Sequence, residues 1–286
     1  MFSDFILCFG KRFDSKIIIK VYLLLFLSLT VFFCISACNN KDSGEGYPRR
    51  EVSAYSEKTI NTAPQFSLDM ECDFGNLEFY RWERQEIKFE VTHKVRESKP
   101  VDELSKLLGY FSIKATEKAG KVSFICNYKE RGGKYENTFS VVRVFLPRKP
   151  VSVNCRLIQG RMTFYDDLET ILKLDAVKAE ININKLTGKV NYTGDDTYFN
   201  ISAGYINSNS SVVTKNGNIR IRADFEIPGT YTINTGTGIV ALDLPESLNA
   251  VFENNGMIDT PESTESAVCS RFLIKQNVGK VDISRF

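Results

Sequence analysis

A short unit recurs along this chain: a glycine, one residue of any kind, then an aliphatic residue. It stands at Gly75-Asn76-Leu77, Gly160-Arg161-Met162, Gly188-Lys189-Val190 and Gly204-Tyr205-Ile206, and again at Gly217-Asn218-Ile219, Gly238-Ile239-Val240, Gly256-Met257-Ile258 and Gly279-Lys280-Val281. From Gly160 onward the intervals are 28, 16, 13, 21, 18 and 23 residues, so the unit persists while its spacing varies. Glycine reaches positive φ without a Cβ penalty, and residues two apart on a strand point to one side. Each unit therefore reads as a turn feeding a strand, and Asn216 and Asn255 before their glycines strengthen the turn character. One or two strands cannot bury an apolar face alone, so such units must stack on one another. The expected fold is all-β, a β-solenoid or β-helix-like stack of short strands with Gly/Asn turns. An ordinary β-sandwich is the alternative, because the spacing is uneven.

The segments between the glycines support strands. "FSLDMECDFGNLEFYRW" alternates Phe66, Leu68 and Met70, then Leu77 and Phe79, and "EIKFEV", "KVSFICNY", "SVVRVFLP" and "TYTINT" follow the same period of two. One or two short helices are expected beside them. In "PVDELSKLLGYF", Val101, Leu104, Leu107, Leu108 and Phe111 fall at helical spacing, with Pro100, Asp102 and Glu103 suited to a helix start. A weaker candidate is "DDLETILKL", residues 166–174.

The N-terminus speaks to location. Lys11, Arg12, Lys16 and Lys20 precede the apolar run Val21–Ala37, the layout of a secretory signal peptide. The run ends in Ile35-Ser36-Ala37-Cys38, which resembles the bacterial lipobox, and the resemblance implies lipidation of Cys38 after removal of residues 1–37. An uncleaved membrane anchor is the alternative. Two or more acyl chains hold a protein stably on a membrane where one does not. The mature chain is thus expected to be lipid-anchored outside the cytoplasm, on the outer face of the cytoplasmic membrane or on an outer membrane. Residues 39–64, rich in Ser, Asn, Gly and charge, read as a flexible tether, with the folded part, 65–286, starting near Gln65.

Recurring G-[NKD]-[IV]-x-[IV] strands behind such an anchor, closing on "NVGKVDISRF", resemble the bacterial putative adhesin domain of the DUF4097/DUF2807 type. The resemblance covers about residues 65–286, is strongest from Gly160 onward, and is weakest over 80–150. It implies a surface β-structure with adhesion or envelope roles and carries no catalytic residues.

Candidate chemistry is sparse. Thirty-seven basic and 35 acidic residues are mixed throughout, which gives no electrostatic reason for a nucleic-acid partner. His93 is the only histidine and lies in the strand-like "FEVTHKV", so a satisfied core histidine is the expected reading. The pairs Asp166-Asp167 and Asp195-Asp196 would point to opposite faces of a strand and make poor two-carboxylate machinery. "GDDT" reads as a turn, with a weak Ca²⁺ contact as the alternative, and "RGGK" (131–134) as a hairpin turn. Cys72, Cys126, Cys155 and Cys269 show no C-x-x-C spacing, so no metal or cofactor is expected. They allow three disulfide connectivities, and their apolar contexts equally suit buried thiols. With Ile219 and Ile221 inward, Arg220 and Arg222 project outward and Lys215 stands at the preceding turn. These three form a candidate ligand strip, with a solvated strand face as the plainer reading. The function expected is that of a non-catalytic, lipid-anchored surface protein binding glycan or protein. The rivals are a structural or sensory envelope component partnering a signalling protein, and a β-helix enzyme acting on polysaccharide, which a cleft of convergent Asp, Lys and Arg would favour.

Overall fold

Period-two alternation of buried and exposed residues runs through nearly all of the molecule. The computed structural model describes residues 49–129, 137–255, 257–259 and 269–286. The signal-peptide and lipobox residues Ile35, Ser36, Ala37 and Cys38, the "RGGK" turn and Gly256 lie outside them. Along the chain come β1 (Arg50–Asn61), β2 (Ser67–Arg81), β3 (Glu86–Glu97), α1 (Val101–Leu108), β4 (Phe111–Lys118), β5 (Lys121–Tyr128) and β6 (Thr138–Leu146). Then follow β7 (Ser152–Ile201), β8 (Gly204–Ile206), β9 (Ser210–Arg222), β10 (Asp224–Phe225), β11 (Thr230–Leu244), β12 (Ala250–Asn254), β13 (Met257–Asp259) and β14 (Ser270–Arg285). The fold is all-β, with one helix among the described residues. The sheet runs β1-β3-β6-β2-β7-β9-β11-β14-β12-β13.

The middle of that order is a stack of parallel passes. The strand β7 is 50 residues long, which would extend about 165 Å if straight. Instead it winds. Ile171 N donates to Val151 O at 3.3 Å, Leu186 N to Ala203 O at 3.1 Å, and Arg161 pairs with Glu180 at 2.8 Å. Parallel ladders then join β2 to β7, β7 to β9, β9 to β11 and β11 to β14. Core columns follow the registers: Leu77 lies beside Met162, Phe79 beside Phe164, Val240 beside Val281 and Leu242 beside Ile283. The Phe79 and Phe164 rings stack at 4.2 Å, and Tyr192 on Phe199 at 4.5 Å.

The seven described repeat glycines (75, 160, 188, 204, 217, 238 and 279) have φ between +132° and +140°. They sit within strands, or at the start of β8, and not in turns ahead of them. The unit that reads as a turn feeding a strand is a kink in a continuous strand. The reason is close approach between passes: a Cβ on Gly217 would overlap the carbonyl oxygen of Thr197 in the pass beneath. Only glycine accepts both that contact and that φ. Beside this file of kinks, buried polar side chains complete the hydrogen bonding. Thr214 Oγ1 donates to Asn216 O at 2.8 Å, Thr235 Oγ1 to Gly217 O at 3.1 Å, and Gln276 Nε2 to Gly238 O.

Two expectations are corrected. Residues 166–174 are strand, not helix: Leu168, Thr170, Leu172 and Leu174 are buried at period two, with charged or exposed residues between them. The ladder to the previous pass, absent from any local pattern, holds them extended. Residues 50–61 are not tether, because β1 pairs antiparallel with β3 over twelve residue pairs. Its polar composition is tolerated because Val52 packs with Val95 and Leu104 and Ile60 packs against the main core, while backbone bonds and the pairs Lys94–Glu51 and Lys88–Glu57, both 3.1 Å, hold the rest.

The helix α1 forms where its sequence places it. Asp102 and Glu103 occupy its first turn, and buried Leu104 packs with Val52 and Val95 across the end of the sheet.

Candidate functional site

Because core residues occupy alternate positions, the residues between them form continuous outward rows across the passes. On one face, Asp69 of β2 lies between Ser123 of β5 and Asn154 of β7, and Glu71 lies between Ile125 and Arg156. Arg156 reaches Asp175 of the next pass at 3.7 Å. Lys173, Asn191 and Thr193 carry the rows on, and these side chains line a cleft of about 600 Å³. The same face continues. Asn191 lies beside Ser211, Ser211 beside Thr232, and Val213 beside Asn234. A second cleft of about 500 Å³ follows, lined by Thr232, Asn234, Glu253, Asn255 and Lys275.

The first cleft combines carboxylates, amides, hydroxyls and cations on rigid strands. Asn154 Nδ2 donates to Asp69 Oδ1 at 2.6 Å, and Lys121 pairs with Asp69 from the rim. Partial burial pushes the Asp69 carboxyl up, but the hydrogen bonds from Asn154 and Lys121 outweigh it, so its pKa ends lower than usual. Asn154 Oδ1 is buried and accepts no hydrogen bond from the described residues. Lys173 is exposed beside this carboxylate and forms no ion pair of its own among the described residues. None of these residues is singled out by a motif. Their only signal in the sequence is a polar residue between two apolar ones, as in "SLDMEC", "SVNCRL" and "TILKLD".

The candidate strip at Lys215, Arg220 and Arg222 lies on a different face. All three are exposed, yet each is engaged by another pass: Lys215 with Asp195 at 3.1 Å, Arg220 with Asp243 at 3.5 Å, and Arg222 over the Phe286 ring at 4.7 Å. The paired acids are dispersed. Asp166 accepts from Arg81 N at 2.8 Å, Asp167 pairs with Lys185 at 2.8 Å, and Asp195 belongs to Lys215.

His93 is buried, its Nδ1 2.9 Å from Ser140 Oγ and its ring stacked on Phe111 at 4.1 Å. Desolvation pushes its pKa down to about 4, and Nε2 has no partner among the described residues. The ring is therefore neutral and sealed from solvent. Cys72 and Cys126 are register neighbours on β2 and β5, and all four described cysteines are free thiols. Burial also pushes the Cys155 thiol well up. Among the described residues no three His, Cys, Asp or Glu side chains converge to hold a metal ion, and no helix is long and apolar enough to cross a membrane.

No known family model matches the chain, and no curated protein matches it. Solved structures do. A putative adhesin from Parabacteroides distasonis ATCC 8503 aligns over 81% of this chain and 97% of its own at 12% identity, with a TM-score of 0.39. A putative cell adhesion protein from Clostridium sporogenes ATCC 15579 aligns over 82% and 100% at 14% identity, with a TM-score of 0.34. A putative adhesin from Bacteroides fragilis NCTC 9343 aligns over 81% and 97% at 8% identity, with a TM-score of 0.35.

Proposed function

We propose that this chain is a lipid-anchored cell-envelope protein of the adhesin-like DUF4097/DUF2807 type, acylated at Cys38, whose outward polar face binds glycan without catalysis. The observation that carries the binding site is the cleft over β5, β2 and three passes of β7. There Asp69 and its register neighbour Asn154 line the cleft together with Lys173 and Asn191 from the later passes. A polysaccharide offers a linear series of hydroxyls, each both donor and acceptor. A row of carboxylates, amides and hydroxyls on pre-organised backbone meets such a ligand with little ordering cost.

The test is retention on immobilised envelope and host polysaccharides by the full chain and by the double variant Lys173→Ala/Asn191→Ala. Both residues lie on the outside, so stability should move by only about 0.5 kcal/mol, while binding should fall about tenfold or more, near 1.4 kcal/mol. If the double variant is retained like the parent, this cleft is not the site. The anchor is tested separately. Replacing Cys38 by Ala should abolish fatty-acid labelling and leave an unprocessed precursor, and unchanged labelling would exclude it.

One feature favours a second reading, a β-helix enzyme acting on polysaccharide. Asp69, Glu71, Asp175, Lys173 and Arg156 share the same cleft. The lowered pKa of Asp69 leaves it ionised at neutral pH, which suits a base and not a general acid. Release of shortened chains or unsaturated ends during the retention assay would establish this reading and replace the first.

A further inference from the structure

The stack ends differently at its two extremities, and the later end is unfinished. The strand β14 pairs with β11 along Arg271–Arg285, but on its other side β12 covers only Ser270–Ile274. Asn255 extends that cover to Gln276 through paired hydrogen bonds of 2.8 and 3.1 Å. Among the described residues no strand pairs with Val278–Arg285 on the open side. These residues continue the core columns. Val281 follows Val240 and is only half-buried, and Ile283 follows Leu242, which is fully buried, yet is 41% exposed. Val278 is 64% exposed. An open edge with apolar side chains on its core side is a template for another strand.

We infer that this edge takes the same edge of a second copy, as an antiparallel pair about a two-fold axis at Val281. Facing residues in an antiparallel pair point to the same side, so core-side Val281 and Ile283 must meet core-side residues, which restricts the axis to a residue position. An axis at Lys280 sets two ammonium groups opposite each other, and one at Asp282 sets two carboxylates opposite each other. An axis at Ile283 sets Val281 against Arg285, whose guanidinium already donates to Pro245 O and Leu248 O at 2.9 Å. An axis at Val281 instead places Lys280 opposite the second copy's Asp282, and Asp282 opposite its Lys280. Opposite charges on facing positions favour the pair, and like charges oppose it. In that register Val281 meets Val281, and the exposed Ile283 meets Gly279, which has no side chain to exclude it. The lone-chain contact between Lys280 and Asp282 supplies the same ions at one edge and is shared, not lost, on pairing. The two cores then become continuous through one sheet. The inference stands independently of what the polar cleft binds.

The experiment is sedimentation of the full chain in density-matched detergent, with three edge variants. The parent should sediment at twice the monomer mass. Asp282→Lys places only cations on the outward row and should return the monomer. The exchanged variant Lys280→Asp/Asp282→Lys restores self-complementarity and should return the dimer. Val281→Cys should form a covalent dimer on exposure to an oxidised low-molecular-weight disulfide, which takes up two electrons and two protons as the two thiols join. The melting temperature of each variant reports that the chain still folds. A parent that sediments as a monomer overturns the inference, as it would if residues 260–268 of the same chain cover the edge. So does a dimer that survives Asp282→Lys, or one that the exchange fails to restore.

Discussion

The two ends of the stack solve the same problem with different completeness. At the early end, β6 and β5 still pair parallel with β2, and antiparallel strands take over beyond them: β3 and β1 past β6, and β4 past β5. The helix α1 then lays Leu104 over Val52 and Val95, so the last core residues are sealed. At the late end, β12 covers one half of β14 and the core columns run out into solvent at Val281 and Ile283. A stacked repeat has no natural stopping point, since each pass presents an apolar surface to the next. Closing it takes sequence that departs from the repeat, which is why residues 80–150 fit the glycine pattern least well.

This contrast predicts how equal substitutions will behave at unequal positions, and chemical denaturation of purified variants measures it. The largest effect should come from the glycine kinks. Gly217→Val forces a branched side chain into positive φ against the Thr197 carbonyl, with passes packed on both sides, and should cost about 3 kcal/mol or more. Gly279→Val makes the same overlap with Gly238, but in the last pass, which can swing outward; about half the loss is expected. Equal losses would show that the late end is as confined as the middle.

Core truncation should follow. Leu104→Ala at the sealed end should cost about 2–5 kcal/mol, whereas Ile283→Ala, made in the monomeric Asp282→Lys background, should cost less than about 1 kcal/mol, since much of that side chain never left water there. If Ile283→Ala proves as costly as Leu104→Ala, something covers the late end in the isolated chain.

Acid should loosen the sealed end first. His93 has a pKa of about 4 when folded, against about 6.5 in an unfolded chain, so between those values the unfolded state binds more protons. Its contribution is intact above pH 6.5 and falls as the pH drops toward 4, by about 3 kcal/mol in total. Denaturation midpoints of His93→Phe should lose that pH dependence between 6.5 and 4. A slope equal to the parent's would mean that carboxylates, not His93, govern acid stability.

The smallest effect is expected at the basic strip. Arg220→Ser/Arg222→Ser removes one ion pair and one cation–π contact between exposed groups, and should change stability by under about 1 kcal/mol. It should leave polysaccharide retention at the cleft unaltered. A selective loss of retention would move the site to that face.

Much of this fold is legible one residue at a time. Period-two alternation marks the strands, the spacing of Leu104 and its neighbours marks α1, and the recurrent glycines mark positions where a side chain is excluded. These are local consequences of backbone geometry and burial, so a single chain displays them. Residues 50–61 and 166–174 are misread from the same local evidence, because a ladder to a distant strand outweighs composition and short-range spacing. The cleft is invisible for a related reason. Asp69, Asn154, Lys173 and Asn191 are unremarkable polar residues far apart in the chain, and only the register of successive passes sets them side by side. Which residues face the core can be read from the chain, since alternation and hydrophobicity are properties of each strand alone. Which residues are neighbours across the strands emerges only on folding, because register depends on the length of every pass between them, and those lengths are uneven.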